Sequence, residues 1–382
     1  MQQQQISETN MDNPSAPSKQ LSESRSTKEL VTNGEEPPER YFYKNCDEGF
    51  LDPSLPAMEI PVIDLGLLKS PEELEKLRSA LISFGCIEAI NHGMTSTFLD
   101  EVREVVKQFF QLPEAEKQKY AREVNSIEGY GNDMILLDSQ ILDWNDRLYL
   151  KISPEDQRQL RFWPQNPESL RDILHEYTLK LKMINEVVLK AMARSLNLED
   201  NSFLSQFGEE ANMFARFNFY PPCPKPDVVL GLKPHADGSG ITMVLQDKEV
   251  EGLQFLKDSK WFRAPIVPEA LLINIGDQVE IMSNGFFKSP MHRAVISKEK
   301  QRISLAVFSA PGPDQEIEPL DELVSQTRPK SYKKLKDYPA IYFHYYQQEA
   351  HLFWWHYKSP DRVEDPSRPW PIILWLSGGP VS

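Results

Sequence analysis

The stretch "PHADGSGITMVLQ", residues 234–246, decides how this chain is read. His235 and Asp237 stand two apart, glycines follow at 238 and 240, and ITMVLQ then has the texture of a strand. Alternate residues of a strand point to the same face. If KPHAD begins a strand, the imidazole and the carboxylate project together, as two groups do when they share a cation. An HxD pair alone is common in surface turns, so this reading depends on partners elsewhere in the chain.

Such partners follow in order. His292, in SPMHRAVI, opens another strand-like run far from Asp237 in sequence. Two imidazoles and one carboxylate on one side of a metal leave three positions open, which suits Fe(II) that takes up both a co-substrate and O₂. Further on, QRIS sets Arg302 and Ser304 on one strand face, and a buried guanidinium beside a hydroxyl makes a receptor for a carboxylate. Upstream, FNFY places Asn218 and Tyr220 in the same i, i+2 relation. These pairs and His292 are expected to face the interior of one β-roll. His175, His344 and His356 read as structural or solvated, and His92, in the NHG turn, as a hydrogen-bonded strand-end residue.

The rest of the chain is consistent with an intracellular enzyme. Its 382 residues suffice for one large domain or two small ones, and 40% hydrophobic with 26% charged residues is a globular profile. A net charge of −15 speaks against a nucleic-acid surface, because phosphate binding needs clustered Lys and Arg. Cys46, Cys86 and Cys223 are too few and too scattered for a disulfide framework or a CxxC knuckle, as in a reducing compartment. The N-terminus lacks a basic-then-apolar signal pattern, and no run reaches the ~18 apolar residues of a membrane span. A cytoplasmic monomer acting on a small molecule, with no membrane partner, is expected.

Residues 1–36 are rich in Gln, Ser, Asn and Glu and read as a disordered tail, with order beginning near PPERYFYK. EIPVIDLGLL (59–68) reads as a strand. Ser70, Pro71 and Glu73 then form a capping box for a helix whose inner face carries Leu74, Leu77, Ala80, Leu81 and Phe84. CIEAINHG reads as a second strand, and residues 96–111 as a helix burying Phe98, Val102, Val105, Phe109 and Phe110. A long helix over 168–196 carries the stripe Leu170, Leu174, Tyr177, Leu181, Ile184, Val188 and Met192. From ANMFARFNFYPPCP onward the texture changes to short runs broken by Pro and Gly: ITMVLQ, GLQFLK, WFRAPIV, ALLINIG, HRAVI and RISLAVFSA. That spacing predicts a sandwich or jelly roll. The expected fold is α+β, mainly β: a double-stranded β-helix core with flanking helices over 166–348, after an N-terminal helical and β domain over 38–165.

The stretches NFYPPCPKPDVVLGLKPHADGSGITMVLQD, LLINIGDQVEIMSNGFFKSPMHRAVI and QRISLAVFSAPGP resemble the core of the plant 2-oxoglutarate- and Fe(II)-dependent dioxygenases. IPVIDLGLL, AINHG and FFQLPEAEKQKYA resemble that family's N-terminal domain, so the likeness spans roughly 38–348. Within the family the chain looks closest to the branch of specialised metabolism, with its flavonol synthases and alkaloid O-demethylases. The resemblance implies Fe(II) held by His235, Asp237 and His292. It implies the distal carboxylate of 2-oxoglutarate on Arg302 and Ser304, with Tyr220 adding a hydrogen bond and Asn218 lining the site. O₂ would be the oxidant and ascorbate a supporting reductant. 2-Oxoglutarate would be cleaved to succinate and CO₂ while the substrate is hydroxylated, desaturated or O-demethylated. RxS also occurs in relatives that consume no 2-oxoglutarate, such as 1-aminocyclopropane-1-carboxylate oxidase. The resemblance further places substrate contacts in GYGNDMILLDSQILDW and at the roll mouth: Tyr130, Met134, Leu137, Trp144 and Phe308. Those side chains suit a flat or ring-containing molecule.

Near Glu349 the family pattern gives way to AHLFWWHYKSPDRVEDPSRPWPIILWLSGGPVS. Residues 349–382 resemble the first strands of a serine carboxypeptidase-like protein, and are expected to form a poorly packed appendage. A Ser-His-Asp hydrolase needs a nucleophile, a base and an orienting acid, and none of these follows. A second class of function, a non-catalytic small-molecule binder that keeps the oxygenase fold, is opposed by three intact metal-ligand positions that a pure binder does not need.

Overall fold

A computed structural model describes residues 25–43, 55–123, 126–133, 135 and 140–347. The first half runs α1 (Thr27–Thr32), β1 (Val62–Asp64), α2 (Pro71–Ser83), β2 (Cys86–Ile90), α3 (Ser96–Gln111), α4 (Glu114–Lys117), β3 (Gly129–Gly131) and β4 (Asp146–Ser153). Then come α5 (Leu170–Ser195), α6 (Leu204–Phe207), β5 (Asn212–Tyr220), β6 (Leu232–His235), β7 (Ile241–Leu245), β8 (Leu253–Lys257), β9 (Lys260–Arg263) and β10 (Leu271–Ile275). The last elements are α7 (Asp277–Met282), β11 (His292–Ala294), β12 (Arg302–Ala310), β13 (Glu316–Ile317), β14 (Leu335–Lys336) and α8 (Tyr338–Gln347).

Two sheets make the roll. The larger has eight strands in the order β1-β2-β10-β7-β12-β5-β4-β3, and the smaller has four, β6-β11-β8-β9. The N-terminal segments therefore extend the large sheet at both of its edges. Pleating divides that sheet into two faces. Met213, Ala215 and Phe217 of β5, Leu305 and Val307 of β12, and Ile241, Met243 and Leu245 of β7 join the main core. The helices α2, α3 and α5 bury their apolar stripes in the same core, including Leu77, Phe98, Val102, Phe109, Leu174, Tyr177 and Leu181. The alternate residues, Asn218, Tyr220, Arg302, Ser304 and Thr242 among them, lie on the opposite face, toward the roll interior.

Local sequence accounts for the helix boundaries. Ser70 caps α2 by accepting from the Glu73 N–H (3.2 Å), with Pro71 in the first turn. The expected capping box is only half formed: the Glu73 carboxylate accepts from the Asp64 N–H (2.8 Å), and Ser70 N–H donates to the Leu67 carbonyl. Thr95 caps α3, which ends before Leu112-Pro113. His92 is held in its turn by Glu269 O (2.9 Å) and the Met94 N–H (3.2 Å), and half-exposed His175 lies 3.1 Å from Arg158.

The tail expected over 1–36 requires correction in its last third. Ser26 caps α1, and the fully buried Asp146 carboxylate accepts from the Thr27 N–H (2.7 Å), the Thr27 hydroxyl (3.0 Å) and the Lys28 N–H (3.0 Å). Leu30 and Tyr41 then complete a second core with Trp144, Tyr220 and Cys223. A polar composition concealed this segment because its order comes from capping, not from an apolar stripe. Residues 1–24 and the 349–382 appendage lie outside the described residues. Among those described, no helix is long and apolar enough to cross a membrane.

Candidate active site

KPHAD ends a strand instead of beginning one. His235 is the last residue of β6, and Asp237 lies in the connection to β7. His292 opens β11 directly opposite His235 in the antiparallel register. The two rings stand 4.2 Å apart, and each Nε2 faces Asp237 Oδ1, at 3.5 Å from His235 and 3.6 Å from His292. All three residues are buried, and one donor atom from each lies within 4.8 Å of the others.

The remaining polar atoms of this group are already engaged. Nδ1–H of His235 donates to the Lys233 carbonyl (2.7 Å), and Nδ1–H of His292 to the Pro290 carbonyl (3.0 Å). With Nδ1 so engaged, each Nε2 is turned toward Asp237 and carries the lone pair when its ring is neutral. Asp237 Oδ2 accepts from Thr242 Oγ1 (2.6 Å) and Asn274 Nδ2 (2.8 Å), so Oδ1 is the atom left for a ligand. Burial and the neighbouring His235 push His292 down to about 4, which keeps it neutral. Burial opposes ionisation of Asp237, but the two histidines and Thr242 outweigh it and hold the carboxyl below its usual range. Two nitrogens and one oxygen, less than 4 Å apart along the Asp237 edges, fit one divalent ion with bonds of about 2.0–2.2 Å. The donor set is that of a non-haem iron centre.

The second set lies on the large sheet. Arg302 pairs with Tyr220 and Ser304 with Asn218 in the β12–β5 register, so the two i, i+2 pairs form one square. Asn218 Nδ2 donates to Ser304 Oγ (3.2 Å), and the Arg302 guanidinium lies 5.2 Å from the Tyr220 ring centroid. Arg302 is only 4% exposed, forms no ion pair among the described residues, and its Nε has no hydrogen-bond partner. A buried guanidinium with an unused N–H fits the carboxylate of a co-substrate.

The five expected substrate contacts divide. Phe308 lies on the face of β12 that carries Arg302 and Ser304, stacked on Tyr149 at 6.2 Å. Tyr149 also packs on Phe214 at 5.7 Å, so three adjacent strands present one aromatic wall. Tyr130 is a correction: β3 pairs it with Leu148, on the helix-facing side of the sheet. There it meets Phe109 at 5.7 Å and accepts a bond from buried Lys117. Trp144 is fully buried against Tyr41 and presents no surface to a ligand. Met134 and Leu137 lie outside the described residues. Sequence reading missed Thr242, Asn274, Tyr149 and Phe214. An asparagine inside the apolar run LLINI was the available signal for Asn274.

Comparison with known proteins agrees with this arrangement. Residues 210–311 match the 2OG-Fe(II) oxygenase superfamily, and residues 60–166 match the N-terminal domain described as non-haem dioxygenase in morphine synthesis. Lateral Branching Oxidoreductase 1 of Arabidopsis thaliana is 39% identical over 78% of this chain and 84% of its own length. Codeine O-demethylase of Papaver somniferum is 38% identical over 72% of this chain and 78% of its own length. The solved structure of JOX2 with 2OG, Fe and JA superposes with a TM-score of 0.77 at 33% identity, covering 84% of this chain and 93% of that one. A roll that converges two imidazoles and a carboxylate, in a chain so close to these oxygenases along most of its length, belongs to the plant 2-oxoglutarate- and Fe(II)-dependent dioxygenases.

Proposed function

We propose that this oxygenase oxidises a small ring-containing molecule held between the metal centre and the Tyr149–Phe214–Phe308 wall. His235 Nε2, Asp237 Oδ1 and His292 Nε2 would hold Fe(II), which with O₂ and 2-oxoglutarate supplies the oxidising power for hydroxylation, desaturation or O-demethylation. Thr242 and Asn274 keep the Asp237 carboxylate turned so that one oxygen stays available. Arg302 and Ser304 take the far carboxylate of 2-oxoglutarate, with Tyr220 and Asn218 bracing them from β5. The substrate lies against aromatic faces, which bind flat rings without demanding a charge.

The observation that carries this reading is the convergence of three donor atoms within 4.8 Å, with the other polar atoms of the same side chains already hydrogen-bonded. The test is succinate release by the purified protein supplied with Fe(II), 2-oxoglutarate and ring-bearing small molecules. Substrate-stimulated release that stops on chelation is expected. Failure to bind 2-oxoglutarate in the presence of metal would overturn the reading.

A further inference from the structure

Between His235 and β7 the chain passes through 236–240, a connection with no regular secondary structure that carries the ligand Asp237. Every carbonyl of this connection is engaged. Asp237 O accepts from the Asp277 N–H, Ser239 O from the Gln278 N–H, and Gly240 O from the Gly276 N–H. Gly238 O accepts from Gln278 Nε2 (2.8 Å). These four bonds come from Gly276 and the first turn of α7. The fifth comes from the other end of the chain: the Tyr342 hydroxyl donates to Ala236 O at 2.9 Å, midway between two metal-ligand positions.

A second contact fixes the same tyrosine. A β-carbon on Gly238 would lie 2.4 Å from a Tyr342 ring carbon, so the ring packs against the glycine and leaves no room for a side chain. Four residues earlier on the same face of α8, the Tyr338 hydroxyl donates to Asp277 Oδ2 (2.9 Å), on the turn that supplies the other four bonds. Helix α8 thus grips the connection from Tyr342 and its supporting turn from Tyr338.

We propose that Tyr342 is a positioning residue of the metal centre: through Ala236 O it sets the angle between the His235 and Asp237 side chains, and α8 acts as a clasp on the metal-bearing connection. The inference rests on the metal site proposed above. The Tyr342 hydroxyl bonds the backbone between the two metal-ligand positions, whereas Arg302 and Ser304 stand on β12, so its loss should alter metal affinity while leaving the 2-oxoglutarate pocket intact. One neutral hydrogen bond that orients a ligand backbone predicts about five-fold weaker metal binding.

The experiment is Mn(II) titration of wild type, Tyr342→Phe and Gly238→Ala, following the electron paramagnetic resonance signal of free Mn(II). The 2-oxoglutarate Kd is measured at saturating metal alongside. Tyr342→Phe should bind Mn(II) about five-fold more weakly with an unchanged 2-oxoglutarate Kd. Gly238→Ala, which displaces the ring without altering any ligand atom, should do the same. Mn(II) affinity within two-fold of wild type in a folded Tyr342→Phe protein overturns the proposal, as does equal weakening of metal and 2-oxoglutarate, the mark of general loosening. Should Tyr342→Phe fail to fold, the Gly238→Ala titration decides alone by the same criteria. A wild type that binds no Mn(II) sinks the metal site itself, an outcome distinct from tight binding by both wild type and variants.

Discussion

Two clusters of charged and polar side chains occupy the roll, and they are built on opposite principles. At the metal end, Asp237 and two histidines satisfy their outer atoms and leave three donors converging on one point. At the β4–β5 side, Asp133 is saturated: it accepts from Arg216 through two nitrogens at 2.8 Å and from Arg147 Nε at 2.7 Å. Burial disfavours the charge on Asp133, yet the two guanidiniums outweigh it and hold the carboxyl below its usual range. Arg216 spends its own Nε on Asn218 Oδ1 (2.7 Å), and Arg147 donates to the Ile127 carbonyl (2.9 Å). Burial and charge alone do not make a reactive site. Ligand atoms from several side chains aimed at a common point do, and of these two clusters the first has them.

The largest expected effect breaks the comparison at the metal end. His235→Ala should lower substrate-stimulated succinate formation by about a thousand-fold or more and abolish Mn(II) binding, with little change in melting temperature. Retained turnover would place the metal elsewhere. Asp133→Asn should do the reverse, costing about 2 kcal/mol of unfolding free energy while metal affinity is unchanged. The figure lies below that of a fully buried pair because the Asp133 side chain keeps 22% exposure. A denaturant titration measures it, and a loss of Mn(II) affinity instead would show the two clusters to be coupled.

A third buried acid sharpens the contrast. Glu88 on β2 is 3% exposed, its Oε1 has no partner, and burial pushes its carboxyl up to about 8. A folded-state value raised above the ordinary 4.5 means that the native protein holds the extra proton. Stability from this group is therefore full below about 4.5 and declines as pH rises toward about 8. Glu88→Gln should flatten that part of the stability–pH curve, leaving the variant more stable than wild type by about 1 kcal/mol or more at pH 8 and level with it at pH 4.5. The smallest effect belongs to Tyr130→Phe. Kinetics should stay within about two-fold of wild type, and stability should fall by about 1 kcal/mol as Lys117 loses one acceptor.

Much of the site was legible because strand geometry turns spacing into direction. HxD, the distant histidine, RxS and NxY each needed only an i, i+2 rule and a guess that the runs were strands. The exception is instructive: Asp237 lies past the end of β6, and it joins His235 because the 236–240 connection is tied down, not because a pleat alternates. The helices α3 and α5 were legible to within two residues from their apolar stripes. What stayed hidden depends on contacts between distant segments. Neither the Asp133 pairing with Arg147 and Arg216 nor Tyr342 on Ala236 leaves a local pattern. Tyr130 misled because an aromatic in a glycine-flanked strand has two faces available, and only the register with Leu148 chooses between them.

Asp146 gives the chain a firm left margin. Among the described residues its fully buried carboxylate has three donors, all from Thr27 and Lys28, and burial pushes its pKa upward. Anyone shortening this protein from its start meets that limit at Thr27 and Lys28. Removal through Lys28 would strip an acid on the strand next to the edge of the large sheet of these three donors, and the damage would be felt beside Trp144 and Tyr220, far along the chain from the cut.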